Sequence, residues 1–198
     1  MSNSNREAVL GRLGRVHCAL QADGEGVLRA VLKTCQEMLL DRGCLSVRAS
    51  EDPVRDIVRG ARVVWGTDGG GSTTDVYVSA EDKVAVKFVR GLPPADCVVV
   101  VSVDGPTPYT RRECEKQRIQ FVSCRRLYSN VTRHELVVPH VAVAAPADVD
   151  VDDLPKIFDT DPVVQYYNWP VGTVVRTERF VGGHEPIPYF RVVTPAPV

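Results

Sequence analysis

The chain has 198 residues, enough for one domain or two small ones with a real core and too few for a multidomain enzyme. Apolar residues make up 44% and charged residues 25%, with a mean hydropathy of −0.09, which excludes a disordered chain. The 24 basic and 25 acidic side chains leave a formal charge of −1, so no global field draws the molecule to nucleic acid and any such contact must be local.

Met1 to Glu7 is polar, without the apolar core of an export signal, and no apolar run approaches the roughly 20 residues of a membrane span. These features predict a chain that neither crosses a membrane nor is secreted. Val27, Val31, Cys35, Met38 and Leu39 recur at helical spacing, and Gly43 follows as a stop, which predicts an amphipathic helix over 27–42. A shorter helix is expected from Ser50-Glu-Asp-Pro53 to Gly60, with Val54, Ile57 and Val58 inward. After the turn residues Asp68-Gly-Gly-Gly71, strands are expected over 73–79 and 83–90, the second with Val84, Val86 and Phe88 on one face, and the two can pair as a hairpin. The unbroken run Cys97-Val-Val-Val-Val-Ser-Val103 predicts a strand of a mostly parallel sheet, buried on both faces. Thr107 then reads as an N-cap, and Pro108 opens a helix to about Gln117. Together these elements predict an α/β or α+β domain.

From Arg111 to Arg133 seven basic residues stand against two acidic ones, whereas from Asp148 to Asp161 six aspartates stand against one lysine. This reversal of sign, with the low-complexity stretch Ala142-Val-Ala-Ala-Pro-Ala147, predicts a boundary near residue 133 and hence two domains, 1–133 and 134–198. Within the second, Asp161-Pro162 opens a helix that Asn168 ends. Strands are expected over 173–179, after the turn at Gly172, and over 188–193, paired antiparallel.

Catalytic constellations are thin. Asp75 and Lys87 are spaced as in a metal-dependent nuclease, in which two carboxylates hold a magnesium ion and a lysine orients the attacking water. Ala85 stands where the second carboxylate belongs. The loop Gly69-Gly-Gly-Ser-Thr73 has the amides of an anion cradle but lacks the lysine of a phosphate loop. His134 and His140, six apart, fit neither a helix face nor a zinc site. The six cysteines, Cys18, Cys35, Cys44, Cys97, Cys114 and Cys124, show no Cys-x2-Cys pair and read as reduced thiols. The basic block from Arg111 to Arg133, with Phe121 and Tyr128 as its only aromatic residues, is the best place for phosphate contacts, through the backbone and without base reading.

His134-Glu-Leu-Val-Val-Pro-His-Val141, Leu154-Pro-Lys-Ile157, Asp161-Pro-Val-Val-Gln-Tyr-Tyr167, Gly172-Thr-Val-Val-Arg176 and Tyr189-Phe-Arg-Val-Val193 follow one another in the order of one family's hallmark segments. The chain resembles the fifth common subunit of eukaryotic nuclear RNA polymerases, whose C-terminal domain corresponds to a small subunit of the archaeal polymerase. More loosely, Leu39-Leu-Asp-Arg-Gly43, Lys83-Val-Ala-Val-Lys-Phe88 and Cys97-Val-Val-Val-Val with Thr107-Pro108 are similar to that family's jaw domain.

The resemblance implies a non-catalytic subunit without cofactor or metal: an endonuclease-like N-terminal jaw that lacks chemistry, and a small α+β assembly domain docked on the largest polymerase subunit. It implies Thr107, Pro108, Arg111 and Arg112 near the backbone of downstream duplex DNA. Partner contact is implied at His134, Glu135, Leu136, Pro139 and His140, at Leu154, Pro155 and Lys156, at Asp161, Pro162, Tyr166 and Tyr167, and at Gly172, Val174, Val175 and Arg176. The implied location is the nucleus, or a virion and viral transcription site for a virus-encoded member. Against the family pattern, Ala142 to Asp153 is short and acidic, Gln165 stands where arginine is common, and Asn168 where glycine is usual. The sequence thus reads as a divergent member. The competing readings are a metal-dependent nuclease and a free-standing DNA-binding regulator.

Overall fold

In a computed structural model of the chain, residues 3–15, 23–81, 83–147, 149–179 and 186–197 are described. Cys18, Asp82 and Asp148 lie outside the described residues. The chain divides into two compact units, Met1–Ser129 and Asn130–Val198, and its architecture is mixed α and β with several sheets.

The first unit begins with α1 (Asn3–Gly14) and α2 (Gly24–Asp41). The carboxylate of Asp23 accepts a hydrogen bond from the Gly26 amide and caps α2, whose inward stripe is the predicted one, Val27, Val31, Cys35, Met38 and Leu39, all fully buried. Gly43, at φ +95°, turns the chain into β1 (Cys44–Ala49). Asp52 caps α3 (Pro53–Arg59), and Gly60, in the left-handed conformation that a side chain disfavours, ends it. β2 (Val64–Asp68) and β3 (Thr73–Val78) form an antiparallel hairpin. β5 (Cys97–Ser102) lies parallel to β3, and β7 (Ile119–Ser123) lies parallel to β5, giving a five-stranded sheet in the order β1-β2-β3-β5-β7. Between these strands come β4 (Lys83–Val84), α4 (Val86–Arg90), β6 (Gly105–Pro106) and α5 (Pro108–Lys116), and α6 (Cys124–Leu127) follows β7.

The run at 97–103 is buried as its composition requires. Val98 and Val100 pack with Tyr77, Val84, Val89 and Cys114 beneath α4 and α5. Val99 and Val101, also buried, point to the other face by the two-residue alternation of a strand.

The expected strand over 83–90 and its hairpin with 73–79 do not form. Only Lys83–Val84 is extended, pairing parallel with Gly105–Pro106, and Val86–Arg90 is helical. Val84, Phe88 and Val89 all reach the same core cluster, a spacing that suits a turn followed by helix as well as an alternating strand. In so short a run the two periods cannot be told apart.

In the second unit a short 3-10 turn over Val131–Arg133 leads to β8 (Val141–Val143), and another over Val151–Asp153 leads to β9 (Lys156–Phe158). Asp161 caps α7 (Pro162–Tyr167) by accepting from the amides of Val163 and Val164, and Asn168 at φ 56° ends that helix. β10 (Val174–Arg179) and β11 (Ile187–Thr194) pair antiparallel as predicted, with β8 antiparallel to β10 and β9 parallel to β11. One face of this sheet buries Val175, Val193 and Ile157 against Val164 and Trp169. The other buries Val174 and Val192 against Leu154.

Candidate docking and nucleic-acid surfaces

The start of α5 is built around two threonine side chains. The hydroxyl of Thr107 accepts from the Thr110 amide at 3.2 Å, and the Thr110 hydroxyl donates to the carbonyl of Val84 at 2.7 Å. This fixes Pro108 and the next turn against β4, with Pro108, Arg111 and Arg112 all exposed. Farther along, the Arg90 guanidinium meets Glu113 at 3.1 Å. That hydrogen bond, with a second from Gln117, holds the Glu113 carboxyl below its ordinary range.

The seven basic residues of the block do not form one face. Arg111 and Arg112 lie at the C-terminal end of β5, Arg125 and Arg126 immediately after β7, and Lys116 and Arg118 at the far end of α5, while Arg133 belongs to the second unit.

The nuclease arrangement is not assembled. Asp75 is buried at 5% exposure and already neutralised, its carboxylate accepting from the Arg62 guanidinium at 3.0 Å, and Arg62 lies over the Trp65 ring at 4.6 Å. Lys87 sits exposed on α4, and Ala85 caps that helix. Among the described residues no group of three or more His, Cys, Asp or Glu side chains converges as metal ligands would. In the glycine loop, Asp68 accepts from the amides of Gly70 and Ser72 at 2.8 and 2.9 Å, so the chain satisfies these donors itself. No helix among the described residues is long and apolar enough to cross a membrane.

Cys35 and Cys124 are fully buried, and burial pushes both thiols up to about 12. A protonated, enclosed thiol is a poor nucleophile.

In the second unit, Leu136, His140, Asp161 and Pro162 line one groove of about 600 Å³ with Thr177, Glu178, Tyr189 and Arg191. His134 accepts the Leu136 amide on Nδ1 at 3.2 Å, and His140 Nδ1 donates to the Val138 carbonyl at 2.7 Å. Both histidines thereby shape the loop and leave Leu136 at 81% exposure. Glu135, Pro139, Pro155, Lys156, Gly172 and Arg176 are also exposed, whereas Leu154, Tyr166, Val174 and Val175 belong to the unit's own core. Tyr167 stacks on Trp169, with ring centroids 4.6 Å apart. Thr177 and Glu178 lie outside the hallmark segments read from the sequence, and they enter the groove beside Tyr189 because β10 and β11 pair.

The family model described as RNA polymerase Rpb5, C-terminal domain, matches residues 129–193. A search of curated proteins found no significant match. The matched span begins one residue before the second compact unit and ends on its last strand. The C-terminal unit is therefore similar to the C-terminal domain of RNA polymerase Rpb5, and this similarity supports reading the chain as a divergent, Rpb5-like RNA polymerase subunit.

Proposed function

We propose that this chain is a non-catalytic subunit that docks on the largest polymerase subunit through its C-terminal unit and holds its N-terminal unit beside the downstream duplex. The observation that carries this reading is the family match over residues 129–193, nearly the whole of one folded unit.

Docking on this reading is burial of apolar surface ringed by polar contacts. Leu136 supplies the apolar anchor; Glu135, Pro139, Pro155, Lys156 and Arg176 supply the surrounding contacts, and Leu154, Tyr166, Val174 and Val175 hold the shape from beneath. The N-terminal unit acts as an endonuclease-like jaw without chemistry, and Thr107, Pro108, Arg111 and Arg112 lie along DNA phosphates. The family serves nuclear polymerases, so the nucleus is the expected location, or the virion and viral transcription site if a virus encodes the chain.

Purification of the tagged chain from its native extract, with identification of what accompanies it, tests the reading. The expected result is a stoichiometric largest polymerase subunit. Leu136→Asp, at an exposed position that leaves the fold intact, should abolish that association. Wild-type chain recovered without polymerase, and binding DNA tightly alone, would establish the free-standing regulator instead.

A further inference from the structure

The N-terminal unit carries nineteen basic and sixteen acidic side chains, the C-terminal unit five and nine. Within the N-terminal unit the excess is concentrated at one place. β5 and β7 are parallel neighbours whose register ends at Ser102 opposite Ser123, so whatever follows each strand emerges at the same end of the sheet, about 4.8 Å apart. After β5 the chain makes the short strand β6 and opens α5; after β7 it opens α6 directly. The Ser123 hydroxyl donates to the Val103 carbonyl at 3.4 Å, which ties the two exits together.

α5 packs with α4 on the face that holds Phe121 and Cys114. α6 turns to the opposite face and packs on α2, where its Cys124 and Leu127 are buried. Burial of that stripe turns Arg125 and Arg126 outward, and both are exposed, as Arg111 and Arg112 are on the other side. Lys83, exposed on β4 and paired with Gly105, adds a fifth cation there; Glu81 and Asp104 are exposed acids at the same end. β7 is the edge strand of its sheet, so no further strand stands between these side chains and an approaching molecule.

We infer that Arg125 and Arg126 form a second set of phosphate contacts for duplex DNA, so that the duplex backbone lies across the end of β7 between them and the Arg111–Arg112 pair. This rests on the reading of the N-terminal unit as DNA-proximal. Duplex DNA carries one negative charge per about 1.7 Å of its axis, so a basic edge built on two neighbouring strands meets several phosphates. The contact neutralises charge and reads no base, since phosphate contacts position a protein without carrying sequence information.

The test uses the full chain and a short fluorescent DNA duplex, with affinity followed by anisotropy from about 50 to about 200 mM salt. Each phosphate contact adds about −0.9 to the slope of log affinity against log salt, so four contacts give about −3.6 and two give about −1.8. Arg125→Gln with Arg126→Gln should lower the slope to the second figure, as should Arg111→Gln with Arg112→Gln. Lys116→Gln with Arg118→Gln, which removes the same charge at the opposite end of the sheet, should leave it unchanged. All six positions are exposed, and the circular dichroism spectrum of each variant should match that of the wild type. A wild-type slope in the Arg125–Arg126 variant, with a reduced slope in the Arg111–Arg112 variant, overturns the second contact alone. Wild-type slopes in both overturn the DNA reading of the unit and this inference with it. An equal reduction in the Lys116–Arg118 variant shows that net charge, and not place, governs binding, and also overturns it.

Discussion

In the N-terminal unit the valines of β5 are covered on both faces, by α4 and α5 on one side and by the α2 layer on the other. In the C-terminal unit, among the described residues, a four-stranded sheet has the short helix α7 on one face and the 3-10 turn with its neighbours on the other, and its two clusters are small. The exposed residues follow. Among the described residues, Leu136, Val141, Val149, Phe158, Val171 and Ile187 are large apolar side chains left in solvent by the smaller unit, and Leu40, Leu45 and Tyr109 by the larger one. A unit of this size cannot enclose all its apolar surface, and a concentration of exposed apolar groups marks an interaction surface. On the proposed function, the larger unit stands by itself and the smaller one is completed by a partner.

The sharpest way to break this comparison is Val100→Asp. Val100 is fully buried at the centre of the five-stranded sheet, where a carboxylate finds neither water nor a partner. The cooperative melting of the first unit should disappear, while co-purification of the polymerase through the second unit persists. Loss of both would mean that the smaller unit depends on the larger one for its fold.

Next in size is Arg62→Ala, which strands the buried Asp75 carboxylate. A fully buried pair broken on one side costs about 3–5 kcal/mol; because the Arg62 side chain is 46% exposed, about 2 kcal/mol is expected in urea unfolding of the first unit. Asp75→Asn in the same chain should recover much of the loss, since an amide needs no counter-charge. A full loss in the double variant would locate the effect in Arg62 packing on Trp65.

A smaller effect appears only in alkali. Burial raises the Cys35 and Cys124 thiols from 9.0 to about 12, so between those values the unfolded chain has released protons that the folded one retains. Stability therefore falls with pH in that window and is insensitive to these groups below it. The melting temperature of the first unit should drop from pH 9 upward, and Cys35→Val with Cys124→Val should flatten that slope; an unchanged slope would assign it to other groups.

The two units were also unequally legible. Caps announced themselves: Thr107-Pro108 and Asp161-Pro162 place a hydrogen-bond acceptor before a residue with no amide to satisfy, and both helices begin there. The valine run of β5 was equally plain, because burial on both faces leaves no polar position. α1 was silent, since only Val9 and Leu13 in it are buried and glycines stand at 11 and 14. β2 was hidden by Gly66 in its middle, and β9 is three residues long. The groove residues were legible where the family's segments supplied them. Thr177 and Glu178 were not, because they enter the groove only through the pairing of β10 with β11. The division of the basic block between two ends of the sheet was likewise invisible, since it depends on where α5 reverses the chain.

The mildest perturbation concerns the ends of α7, and it measures how little the smaller unit can lose. Asp161→Ala removes the acceptor of the Val163 and Val164 amides at 2.8 and 3.5 Å, at a cost of about 1 kcal/mol. Thr107→Ala removes a cap of the same kind from α5 in the larger unit, and about the same loss is expected. Equal energies should not have equal consequences. The smaller core holds less free energy in reserve, so limited proteolysis of the isolated chain should cut the C-terminal unit of the Asp161 variant sooner than the N-terminal unit of the Thr107 variant. Bound polymerase should erase that difference, because a partner that binds only the folded unit adds its own binding free energy to the unit's stability. Equal protease resistance of the two variants when free would mean that the smaller unit needs no partner to complete it, and the comparison between the two cores would fail at its weakest end.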